Sequence, residues 1–133
     1  MGSWGSDVFE SDDAADFVAD LAEAPDPAGL LGGTLDAVLA SDEYAELPEM
    51  SAGLAAAALV ACALGRHRPA AGSAQDLLAG GRLGDVGGLR EQARAALDRG
   101  LTDDDNEWAE LWDEAGELDD ARASLRTYRA LLD

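Results

Sequence analysis

Four aspartates near the start of the chain, Asp12, Asp13, Asp16 and Asp20, are its densest group of side chains able to do chemistry. Asp13, Asp16 and Asp20 recur at helical spacing, which puts three carboxylates on one helix face, and carboxylates suit hard divalent cations. Asp12, Asp13 and Asp16 are therefore an alternative metal set. Aspartates in a first helical turn are, however, favoured by the macrodipole alone and need no ion to explain them. Helical carboxylate centres of the di-iron kind also use a Glu-x-x-His pair, and the sequence has none: His67 is its single histidine and Cys62 its single cysteine. An internal disulfide and CxxC-type metal motifs are thereby ruled out. No cofactor is expected, and the simpler reading of the four aspartates is a solvated acidic face open to a partner.

Other constellations are weaker. Asp103, Asp105, Glu107 and Glu114 fall at positions one, three, five and twelve of a calcium loop, but Trp108 stands where that loop requires glycine. A catalytic triad would have to use His67, flanked by Arg66 and Arg68, with no nucleophile elbow to present a serine. The glycines from Gly80 to Gly88 lack the G-K-[ST] ending of a P-loop and any preceding strand, so they read as a flexible loop. Arg66, His67 and Arg68 read as cations complementing the end of a helix. Cys62, between two alanines, reads as a small core residue. Trp4, Trp108 and Trp112 could anchor a partner but read first as core filling.

The elements that position these residues are helical. Residues 48 to 64, PEMSAGLAAAALVACAL, open on a first-turn proline and stop at Gly65. After Ser51 no side chain in this run is charged, so the helix is expected to be buried at the centre, its strongly apolar part too short for a membrane span. A first helix starts at Ser11 or Asp12 with Ala14, Phe17, Val18 and Leu21 inward; a second runs from Pro27 to about Ala40 on Leu31, Leu35 and Val38. A short piece is expected at 73–79, a fifth helix at 89–99 ended by Gly100, and a sixth capped by Thr102 with Trp108, Leu111, Trp112 and Ala115 on one face. In the last helix Leu118, Ala121, Leu125, Tyr128 and Leu132 either close the core or pair with a copy of the chain. Residues 1–10 form an irregular arm pinned by Trp4 and Phe9, and 66–85 a glycine-rich mobile connection. Phe17 and Trp112 complete the expected structural anchors.

Charge sets the remaining bounds. The 133 residues carry 28 acids against nine bases, a net charge of −19, and the bases are all arginine. The distribution is uneven: residues 1–65 hold 13 acids and no base, residues 66–133 hold 15 acids and all nine arginines. Such a field repels nucleic acid and anionic membrane and attracts basic surfaces. With no basic segment preceding an apolar run, the cytoplasm is the default location.

The opening MGSWGSDVFESDDAADF, through Gly2, Trp4, Gly5, Phe9, Asp12, Asp13, Ala14, Asp16 and Phe17, resembles the signature of small acidic bacterial proteins known as domain-of-unknown-function family 4259. The alanine-rich helix ending ALGR and the segment ELWDEAGE, with Glu110, Leu111, Trp112 and Glu114, resemble it in the same order. The resemblance implies a fold but no established activity. Relatives commonly carry glutamate at the place of Ala58 and tryptophan at the place of Ala121, so a site using that glutamate would be incomplete here.

The sequence thus predicts one all-α domain over 1–133, a bundle of six or seven helices around a buried alanine-rich helix. Its function reads as a non-enzymatic interaction module in which Asp12, Asp13, Asp16 and Asp20 meet a basic protein, as an immunity-type antagonist would. The alternatives are a divalent-metal-binding protein on the same carboxylates and an uncharacterised enzyme.

Overall fold

A helix that offers water no polar face must be covered on every side. The computed structural model, which describes residues 8–9, 11–40, 44–69, 72–81 and 83–133, meets that requirement with an all-α bundle. Its helices are α1 (Asp12–Glu23), α2 (Pro27–Ala40), α3 (Leu47–Gly65), α4 (Gly72–Ala79), α5 (Arg90–Thr102), α6 (Glu107–Glu114) and α7 (Leu118–Ala130). The central helix α3 touches each of the other six. Every residue from Gly53 to Cys62 is buried, and the apolar faces predicted for α1, α2 and α7 all turn onto this core. By length and composition α3 would also suffice to cross a membrane, with a mean hydropathy of 1.7 over its best window; 67% of that window is buried within the bundle.

Small residues let the helices approach α3 closely. A Cβ on Gly53 would stand 2.8 Å from Val38 Cβ, so α2 lies directly against α3 there. Gly100, expected to end the fifth helix, lies inside α5 instead. A Cβ at that position would fall 2.7 Å from Leu125 Cδ1 and 2.8 Å from Leu54 Cδ2, so the glycine is a contact point among α3, α5 and α7. Packing has overridden a local stop signal.

Two further expectations are corrected. Thr102 does not cap the sixth helix; it is the last residue of α5, its hydroxyl donating to Asp98 O at 2.8 Å. Asn106 caps α6: its Oδ1 accepts from Ala109 N at 2.8 Å and its Nδ2 donates to Asp103 O at 2.9 Å. Within the expected glycine-rich loop, Gly87–Leu89 forms a turn of 3₁₀ helix leading into α5. The first residues of the arm, including Trp4, lie outside the described residues. Phe9 is buried with its ring edge-on to Tyr128 at 5.7 Å, so the end of the arm is fastened to α7.

Candidate interaction surface

Ser11 begins α1 by accepting a hydrogen bond from Ala14 N at 3.1 Å. This fixes Asp12 and Asp13 in the positive first turn, and burial of Ala14, Phe17, Val18 and Leu21 then turns the other side of α1 outward. Asp12, Asp16 and Asp20 are exposed and Asp13 is half-buried. The four carboxylates share the solvent side of one helix. Among the described residues no three Asp, Glu, His or Cys groups gather closely enough to hold a metal ion.

The surroundings of these acids distinguish them. Among the described residues, no acid before Arg66 forms an ion pair; all six ion pairs join arginines and acids from Glu91 onward. Three exposed aspartates on α1, with Asp26 and Asp36 exposed at the start and on the flank of α2, leave this side of the bundle negative and uncompensated.

A second feature lies where α3, α6 and α7 meet. The N-cap of α3, Glu46, makes no side-chain cap. Glu107 supplies one from sixty residues away, its Oε1 accepting from Leu47 N at 2.7 Å. Glu107 N in turn donates to Ala45 O at 3.0 Å, beside an isolated parallel bridge between Ala45 and Asn106. Tyr44 donates its hydroxyl to Glu110 Oε1 at 2.8 Å, and that bond pushes the phenol up to about 12. This seam was not legible in the sequence, since each side-chain acceptor lies 60 or more residues from its donor.

Beside the seam is an apolar cavity of about 250 Å3 walled by Trp108, Leu111, Trp112, Ala121 and Leu125, with Ser11 at its edge. Trp108 is buried, as expected of a filler, but Trp112 is only half-buried and Leu111 is 41% exposed. Phe17, the remaining expected anchor, is buried. Ala121 lies on this cavity wall, so a larger side chain there would occupy space that is open in this chain. Ala58 is completely buried within α3, where a carboxylate would have to be desolvated.

With this geometry in view, a family model matches residues 2–124, that of the Domain of unknown function (DUF4259). The chain belongs to that family. No curated protein and no solved structure matches it. Family membership thus accompanies the all-α bundle and assigns no activity to the acidic face.

Proposed function

We propose that this member of the family is an acidic interaction module whose α1 face docks on a basic protein surface. The observation that carries the reading is the absence of any ion pair for the described acids before Arg66, in a chain whose later acids are repeatedly paired with arginine. Carboxylates left in water keep their long-range field, and such a field steers a cationic partner and accelerates encounter. An antagonist that must reach a basic toxin or nuclease quickly would use this arrangement.

The test begins with the full chain as bait in host lysate, washed at low and then high salt. A stoichiometric basic protein released by salt supplies the partner, and its association kinetics are then measured against D12N/D13N/D16N/D20N and against a control, D113N/D119N/D120N. The α1 variant should slow association about tenfold or more at low salt, with dissociation little changed, while the control moves the rate far less. Equal rates for the two variants, or no stoichiometric partner at either salt, overturn the reading.

A further inference from the structure

The opposite sign of charge is concentrated at the C-terminal end of α3. Arg66 ends that helix in the left-handed region, φ +53°, with its backbone N–H and that of His67 returned to Cys62 O. Arg66, His67 and Arg68 all line a cavity of about 530 Å3 whose apolar wall includes Leu78, Ala79 and Leu83. His67 is held in place by Tyr128, ring edge to ring at 6.1 Å.

The disposition of the two guanidinium groups is unusual for this molecule. Arg90, Arg94, Arg99, Arg122 and Arg129 are each engaged by a carboxylate or a backbone carbonyl. The Arg66 side chain makes no hydrogen bond or ion pair among the described residues, where only the side chain of Arg126, exposed on α7, shares that condition. Arg68 is braced rather than neutralised: its Nε donates to Gln75 Oε1 at 3.0 Å, and Gln75 Nε2 donates to Pro69 O at 2.7 Å. Its two terminal amino groups have no acceptor among the described residues. Asp76 also lines the cavity yet lies beyond ion-pair distance of either arginine. The dipole of α3 explains why cations stand here. It requires neither a cavity between them and α4 nor a glutamine that holds one of them steady.

We propose that this cavity binds a small organic oxyanion, with its charged head on Arg66 and Arg68 and a short apolar body against Leu78 and Leu83. Two guanidinium groups offer planar forks suited to carboxylate or phosphate oxygens. Since the chain as a whole repels anions, recognition must be local, within about a Debye length of 8 Å at physiological salt.

The test is an amide NMR titration of the full chain at about 0.15 M salt with n-butyl phosphate, hexanoate and inorganic phosphate. Either organic anion should give saturable shifts concentrated in residues 62–68 and 75–84, and the tighter of the two identifies the head group. Inorganic phosphate, lacking the body, should bind about tenfold more weakly. R66G/R68Q removes both forks while glycine suits the left-handed backbone at position 66; it should weaken binding about tenfold or more. A79W leaves the cations in place and obstructs the cavity, and should cause the same loss. Circular dichroism confirms that each variant is folded. Absence of saturable shifts with both organic anions, wild-type affinity in either variant, or equal affinity for inorganic phosphate overturns the proposal.

Discussion

The two halves of the chain contain similar numbers of acids and use them in opposite ways. After residue 66 the acids work inside the fold. Arg99 on α5 bonds Val38 O on α2 and Asp103 Oδ2; Arg122 on α7 bonds Gly100 O, Asp103 O and Asp104; Arg129 bonds Asp98 at 2.9 Å. Arg90 reaches Leu132 O at 2.6 Å, tying the start of α5 to the C-terminal end of the chain. Before residue 66 there is no arginine to make such a tie; α1 and α2 pack onto the core through their apolar faces, and the bond to Val38 O comes from an arginine of the second half. Charge in the second half locks helices together, whereas on α1 it is left in solution. The difference predicts that substitutions in the second half cost stability and substitutions on α1 cost recognition.

The most damaging of the second-half changes should be at Asn106, which is completely buried. N106A removes the cap of α6, leaves Ala109 N without its partner and takes one of two donors from Asp103 O, which keeps Arg122. A loss of about 2 to 3 kcal/mol is expected in urea unfolding. A loss below about 0.5 kcal/mol, the size of an ordinary surface change, would show that the Asn106 bonds between α5 and α6 do not stabilise the fold.

R122M is expected to follow, at about 1 to 2 kcal/mol, because methionine keeps much of the packing but frees Gly100 O and removes one of the two donors to Asp103 O. The ion pair with Asp104 contributes little of this, since Asp104 is 81% exposed. D104N should therefore leave the unfolding midpoint almost unchanged, separating the carbonyl bonds from the charge pair.

Acid pH offers a third, smaller contrast. Burial works against ionisation of Asp103, but the Asp105 N–H together with Arg99 and Asn106 outweighs it and holds the Asp103 carboxyl below its ordinary value. A carboxyl depressed in the folded state contributes stability that is complete above its unfolded pKa and is lost as pH falls through the folded one. Wild type should therefore lose stability on acidification through that window, and D103N should show a shallower loss in the same pH-dependent urea curves. Parallel curves for the two proteins would remove Asp103 from the clamp.

How much of this was readable in advance divides along the same line. The first half obeys local rules: Ser11, the inward set Ala14, Phe17, Val18 and Leu21, and the Asp26–Pro27 start of α2 each announce themselves within a few residues, and the structure follows them. The polar-free run of α3 gave the architecture for the same reason. The second half is organised by contacts distant in sequence, which no local pattern contains. Gly100 looked like a terminator because nothing nearby shows that Leu54 and Leu125 press against it. Thr102 reads as a cap because the bond between Asn106 and Asp103 depends on how α5 and α6 meet. The acidic α1 residues were legible as a group, but their lack of ion pairs became visible only with the six pairs among the described residues located elsewhere. The cationic end of α3 was legible as charge, whereas its cavity depends on where α4 returns.

The smallest stability effect is the sharpest test of the comparison, because it should have the opposite sign. Asp16 and Asp20 are exposed like charges one helical turn apart, with no compensating cation, so each raises the free energy of α1. D16N/D20N should stabilise the fold by about 0.3 kcal/mol at low salt. The gain should vanish near 1 M salt, where screening shortens the reach of charge to about 3 Å. D12N/D13N should not share it, since those residues lie in the first turn, where the helix dipole rewards negative charge. A variant that gains stability while losing association with a basic partner would place the cost of the acidic face in folding and its use in binding. A loss of stability in D16N/D20N would mean that these carboxylates already have an intramolecular role, and the contrast between the halves would fail at its most exposed point.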